Sequence, residues 1–239
     1  MILLRSLLFL VASITALLVI SIPGLPLLLV ARDRAGDLTR WFAGFQLRLL
    51  RATTGLDHEL RGLDTLPDKP VILAVKHQSS LETYALCSCL PMARFVLKCE
   101  LVLIPIVGWY IAAMGPITVD RSAGASALKD MLKRAQAAVA QGHSVVIFPE
   151  GTRTSPGEQR RYHPGVAALY SDLGLPVVPV AVNTGVFWQR RGLRKRPGTA
   201  VIALLEPIPP GMNRKAFMDA LSQRIETAST ALLEEAGKA

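Results

Sequence analysis

Apolar positions along this chain follow three rhythms. From Ser6 to Ala31 there is no charged residue, and Leu, Ile and Val dominate. A stretch of roughly 20 apolar residues is long enough to cross a bilayer. Pro23-Gly24-Leu25-Pro26 interrupts the run. Proline removes a backbone donor and clashes with the preceding turn, so the expectation is a broken helix that either spans or dips in and turns back. As a secretory signal the run is too long and lacks an A-x-A-like cleavage site, so it reads as a retained anchor. Residues 36–54 change rhythm: Leu38, Trp41, Phe42, Phe45 and Leu49 recur at three- and four-residue spacing, with Arg40, Arg48 and Arg51 off the stripe. That pattern predicts an amphipathic helix, lying at a membrane interface or packed on a globular core.

From about Pro70 short apolar runs alternate with helical periods. Strands are expected at Val71–Val75, Arg94–Leu97, Ile117–Val119, Ser144–Phe148, Val177–Val182 and Ala200–Leu205. Helices are expected over Ser80–Leu90, along Leu128, Met131, Leu132, Ala135 and Val139, and along Phe217, Leu221, Ile225, Ala228 and Leu232. Alternation of this kind predicts an α/β fold with a mostly parallel or mixed central sheet flanked by helices. The chain divides into a membrane-associating segment, residues 1–54, and one α/β domain, residues 55–239. Pro176 and Pro179 predict an edge position or irregular pairing for the strand that carries them.

Charge sharpens the picture. The net charge is +9, which calls for an acidic partner, either nucleic acid or an anionic membrane. Aromatic residues make up only 6%, too few for the interleaving typical of RNA-binding segments, so the apolar N-terminus favours the membrane and nucleic acid is set aside. Arg32, Arg34 and Arg40 follow the apolar run while only Arg5 precedes it; that bias expects the main domain on the cytoplasmic side of the cell membrane. Cys87, Cys89 and Cys99 are odd in number and contain no CxxC pair, which disfavours a disulfide framework and a structural zinc site.

Candidate chemistry clusters at strand ends, where open α/β sheets gather ligands. His77 and Glu82 follow the first expected strand. With His77 in the loop and Glu82 in the first helical turn, the carboxylate can orient the imidazole as a general base. Ser79-x-x-Glu82 is equally a capping box, in which Glu82 bonds backbone instead. Phe148-Pro149-Glu150-Gly151-Thr152-Arg153 brings a carboxylate, a hydroxyl and a guanidinium to a tight turn; Arg153 suits a phosphate through its planar fork, or is half of a surface ion pair. Gly115 to Arg121 ends another strand in a charge pair. His163 reads as a packing residue, and His58 and His143 as surface residues. Arg190, Arg191, Arg194, Lys195 and Arg196 form a basic cluster suited to solvent, anionic lipid or an acidic carrier protein. No G-x-S-x-G, P-loop or dinucleotide fingerprint is present.

The four segments, in this order over residues 70–185, resemble the lysophosphatidic acid acyltransferase family of glycerolipid acyltransferases, with its H-x4-D, G-x-x-x-[IV]-x-R and F-P-E-G-T boxes and its proline-bearing apolar strand. The first box departs from the family in carrying Glu82 where Asp is usual. The resemblance implies acyl transfer from acyl-CoA or acyl carrier protein to a lysophospholipid, with no cofactor and no metal. His77 and Glu82 are then the catalytic pair. Lys98, Arg121, Glu150, Gly151, Thr152 and Arg153 hold substrate. Direct transfer is expected, with no enzyme nucleophile. The rival expectations are acyl transfer to glycerol 3-phosphate or a lyso-aminolipid, a thioester hydrolase, and a non-catalytic membrane-binding scaffold.

Overall fold

The computed structural model describes residues 1–120 and 123–238. Seven strands form one mixed sheet: β1 (Leu56–Arg61), β2 (Ile72–Val75), β3 (Ala93–Lys98), β4 (Ile117–Val119), β5 (Ser144–Ile147), β6 (Val177–Val182) and β7 (Gly198–Leu204), in the order β1-β7-β6-β2-β5-β3-β4. From β6 to β4 all neighbours are parallel; β6 and β7 pair antiparallel, and β1 joins β7 in parallel. The carboxyl ends of β2, β3, β4, β5 and β6 therefore share one edge of the sheet.

Alternation along each strand builds two cores. Leu73 and Val75 of β2, Val146 of β5 and Val178, Val180 and Val182 of β6 face one side. They pack under α3 (Arg32–Thr54) and α4 (Leu81–Cys89), with Phe9 of α1 (Ile2–Ser21) joining the cluster. Ile72, Ala74, Val145, Ile147 and Val177 face the other side. There they meet α6 (Ala125–Ala140), α7 (Gly165–Leu173) and α9 (Arg214–Lys238). Burial on both faces is why these strands read as continuous apolar runs.

The interrupted N-terminal run is two helices, α1 and the short α2 (Leu25–Val30), with the break at Ile22–Gly24. α1 is the one described helix long and apolar enough to cross a membrane. In α3 the buried stripe is Ala35, Gly36, Ala43, Gln46, Leu47, Leu50 and Thr54, so the helix packs on the core. The residues expected to form its apolar face sit beside that stripe, half-buried, and Trp41 is exposed.

β6 is interior, not an edge, and its prolines are accommodated by irregular pairing. Val177 bridges Ile208, whereas Val180 pairs with Leu204, a one-residue slip between the two registers. Pro179 lies in that slip, where its carbonyl still accepts the Leu205 N–H, and a bulge is a position that tolerates a missing donor. Three elements had no clear sequence signal: β1, α5 (Val107–Ala113) and α7. A short helical turn, α8 (Thr184–Phe187), follows β6.

α9 closes the second core through Phe217, Leu221 and Ile225, all fully buried, with Phe217 stacked on Tyr170 at 3.9 Å. Phe217→Ala is expected to destabilise the protein by about 3–5 kcal/mol in denaturant unfolding, because a large buried ring leaves a cavity.

Candidate active site

The loops after β2, β5 and β6, three adjacent strands, meet at His77. Its Nδ1 lies 2.8 Å from Glu82 Oε1. The same oxygen accepts the backbone N–H groups of Gln78 at 2.9 Å and Ser79 at 2.7 Å. Oε2 accepts the Thr184 hydroxyl at 2.7 Å. Ser79 Oγ in turn accepts the Leu81 N–H at 3.1 Å. The two sequence readings of Glu82 are thus one arrangement: the carboxylate that returns to Ser79 N–H also holds the imidazole. Glu82 is fully buried, and every group facing it is a donor. The ring proton therefore belongs on Nδ1, leaving the Nε2 lone pair free; among the described residues Nε2 has no partner.

The backbone of His77 is gripped as firmly as its ring. Its N–H donates to Glu150 Oε2 at 2.7 Å, and its carbonyl accepts the Thr154 N–H at 2.8 Å. Phe148 stacks on the imidazole at 4.1 Å. Gly151 makes the intervening turn at φ 65°, a conformation that favours glycine. Glu150 is itself fixed. Lys76 Nζ, almost fully buried, donates to Glu150 at 3.0 Å and to both oxygens of Glu226 on α9 at 2.8 Å. The Tyr162 hydroxyl also donates to Glu226, at 2.9 Å. Burial pushes the Glu150 carboxyl above its ordinary range, with Lys76 and the His77 N–H pulling the other way. Burial and Glu226 raise Tyr162.

A cavity of about 1020 Å³ opens beside the ring. His77, Lys98, Gly151, Thr152 and Arg153 line it, as do Arg190, Arg191 and His163. Its inner wall is apolar, with Ile14, Leu17 and Ile20 of α1, Leu38 and Phe42 of α3, and Phe95 of β3. Cys87 also lines it, but burial pushes that thiol up to about 12, so it offers no thiolate. Glu150 is not on the cavity wall: its carboxylate is turned into protein. Arg121 lies outside the described residues. His143, expected at the surface, is half-buried with Nε2 2.8 Å from the Arg94 guanidinium. Sequence reasoning missed Lys76, Thr184, Tyr162 and Glu226 as parts of the site; Lys76 and Glu226 are 150 residues apart, and no local spacing links them.

The acyltransferase family model matches residues 57–183, more than half of the chain. This chain belongs to the acyltransferase family. It is 39% identical over 160 residues to 1-acyl-sn-glycerol-3-phosphate acyltransferase of Pseudomonas aeruginosa, covering 67% of this chain and 62% of the relative. A second Pseudomonas aeruginosa relative, lyso-ornithine lipid O-acyltransferase, is 28% identical over 213 residues, covering 80% of this chain and 78% of the relative. The chain spans between 36% and 62% of the length of the first three curated relatives it matches. In fold it is similar to the crystal structure of the LPA acyltransferase PlsC from Thermotoga maritima, at a TM-score of 0.76, 21% identity, and coverage of 97% of this chain and 95% of that one.

The ionic cluster behind the family's third box generates a prediction. Lys76→Met should destabilise the protein by about 3–5 kcal/mol, because it leaves the carboxylates of Glu150 and Glu226 without their cation, whereas Glu226→Ala should cost less, because Lys76 keeps Glu150. Lys76→Met combined with Glu226→Met should cost far less than the sum, since the two sites are coupled. Thermal melts of the three variants read this directly.

Proposed function

We propose that this chain transfers a fatty acyl group from an acyl thioester, carried by coenzyme A or acyl carrier protein, to the free hydroxyl of 1-acylglycerol 3-phosphate, giving phosphatidic acid for phospholipid synthesis. The observation that carries this reading is the His77–Glu82 pair, its free Nε2 at the wall of a cavity lined both by the cations Lys98, Arg153, Arg190 and Arg191 and by apolar side chains of α1 and α3. His77 Nε2 takes the proton of the acceptor hydroxyl as its oxygen attacks the thioester carbonyl. Glu82 stabilises the imidazolium that forms. The tetrahedral oxyanion collapses, the C–S bond breaks, and the imidazolium returns its proton to the departing thiolate. The Thr152 and Arg153 N–H groups, which have no acceptor among the described residues, are suited to the oxyanion. Arg153 and Lys98, with Arg121, hold the acceptor phosphate. Glu150 acts through the His77 backbone as a positioning residue. The apolar wall accepts acyl chain.

Residues 1–54 serve as the membrane-associating unit and residues 55–239 as the catalytic domain. Membrane association follows from α1, and its geometry favours one leaflet. Ser6 Oγ accepts the Lys195 N–H at 2.8 Å, Ser13 Oγ donates to Gln46 at 2.9 Å, and the Ser21 carbonyl accepts the Tyr110 hydroxyl at 2.7 Å. At 1.5 Å per residue these anchors span roughly 22 Å, so α1 lies along the domain for most of its length. A full crossing would carry the domain's charged surface into hydrocarbon. The arginines that follow the apolar run favour the cytoplasmic side.

A second acceptor, a lyso-ornithine lipid, is favoured by the coverage of the relative of that name. The cations that line the cavity, Lys98, Arg153, Arg190 and Arg191, argue for the phosphate. Purified protein supplied with labelled acyl thioester and either lysolipid separates the readings: label should move into phosphatidic acid. Transfer to lyso-ornithine lipid alone overturns the first reading, and release of free fatty acid in both cases identifies a hydrolase.

Arg153→Ala should raise KM for lysophosphatidic acid about ten- to hundredfold, the loss of one charge-assisted contact, with little change in KM for the donor. An equal effect with an acceptor lacking phosphate contradicts the clamp.

Glu82→Gln should lower kcat about a hundredfold or more while leaving thermal stability near the parent value. The amide oxygen can keep the three bonds made to Oε1, and the Thr184 hydroxyl can rotate to accept from the amide nitrogen, so only the charge is lost. Glu82→Asp should keep substantial activity. Near-normal turnover by Glu82→Gln leaves the carboxylate a structural role only.

A further inference from the structure

Residues 189–196 form a hairpin loop whose base is tied to the body of the protein. Trp188 and Lys195 make an antiparallel bridge, and Arg196 N–H donates to the Phe187 carbonyl at 2.8 Å. Lys195 is the reverse of its neighbours. It is 4% exposed, with Nζ over the rings of Phe9 at 5.1 Å and Trp188 at 4.8 Å, and burial lowers its pKa. Phe9 and Trp188 meet edge to face at 5.7 Å. The loop is thereby docked on the first half of α1. Its tip is different in character. Leu193 is 52% exposed, and Arg190, Arg191, Arg194 and Arg196 around it are exposed and form no ion pair with a described residue. Across α1 from this contact, Leu4, Leu8 and Val11 are 73%, 56% and 62% exposed. Arg190 and Arg191 also line the cavity that holds His77.

We propose that this loop is a membrane-docking element, in which Leu193 inserts among the headgroups of an anionic lipid surface while the four arginines around it bind lipid phosphates. An apolar tip ringed by cations matches an interface that is apolar below and anionic above, and unpaired arginines near such a surface each add to binding. An acidic carrier protein offers charge but gives no reason for an exposed Leu at the tip. Together α1 and the loop flank the cavity, so a lysolipid lifted from the leaflet meets Arg190 and Arg191 before it reaches Arg153. This last step rests on the acyl-transfer reading; the docking does not.

The experiment uses the full chain reconstituted in phosphatidylcholine vesicles, with and without phosphatidylglycerol. In Leu193→Trp, the added emission should be blue-shifted and largely quenched by lipids brominated along their chains, when phosphatidylglycerol is present. Emission that stays red and unquenched overturns the proposal. In parallel, Arg194→Gln with Arg196→Gln, neither of which lines the cavity, should raise KM for vesicle-embedded lysophosphatidic acid about tenfold to thirtyfold. KM for a short-chain, monomeric lysophosphatidic acid should be unchanged, which controls for folding. An unchanged KM in vesicles combined with a raised KM for an acyl carrier protein thioester overturns lipid docking in favour of a carrier site. If the parent protein transfers no acyl group, bromolipid quenching at position 193 still sustains docking while the acyl-transfer reading falls.

Discussion

The site depends on the Glu82 carboxylate. One of its oxygens collects His77 Nδ1 and the N–H groups of Gln78 and Ser79, and the other takes the Thr184 hydroxyl. These contacts begin α4, shape the loop after β2, tie that loop to the end of β6, and fix which imidazole nitrogen carries the proton. A carboxylate fully removed from water is tolerable only with such a set of donors. A residue that is needed to start a helix is thereby made available to orient a base, so folding the helix and preparing the chemistry are the same event.

Around this point the fold supplies rigidity from the opposite side of the sheet. His77 cannot shift without moving Glu150, which is held by Lys76, which is held by Glu226 on α9. That chain of charge runs from the cavity edge to α9, the helix that closes the second core. Catalytic precision in the proposed reaction then comes from elements far apart in sequence but packed on three adjacent parallel strands. The cavity joins this rigid edge to the α1–α3 face, so in the proposed reaction acyl chains lie beside α1 and α3 and the acceptor phosphate lies at the sheet edge.

Much of this was legible in the chain. Continuous apolar runs identified the buried strands, and the boxes at their ends lie along one edge because the strands that carry them are parallel. Local spacing also put His77 within reach of Glu82. What spacing could not supply were contacts across the sheet. Glu226 sits on a helix whose pattern reports only the apolar face that packs, and Thr184 follows a strand noted for its prolines. Glu150 reads as a ligand-facing carboxylate until the partners that bury it are seen. β1 was missed because Leu56-Asp57-His58-Glu59-Leu60-Arg61 is an edge strand rich in charge, and its stability comes from pairing with β7. In α3 the buried stripe joins small residues that let helices approach, Ala35, Gly36 and Ala43, to Leu47 and Leu50, while the larger aromatics lie beside it.

The proposed chemistry turns on which nitrogen of the His77 ring carries the proton. With four histidines in the chain, 15N-histidine labelling in detergent micelles and a His77→Gln reference assign the His77 signals directly. The prediction is that the neutral ring is a single tautomer, with the proton on Nδ1 and a bare Nε2. It should be lost when Glu82 is replaced by Ala. A neutral His77 ring that carries its proton on Nε2, or one averaging between tautomers as an unheld imidazole does, contradicts the claim that Glu82 prepares His77 as the base.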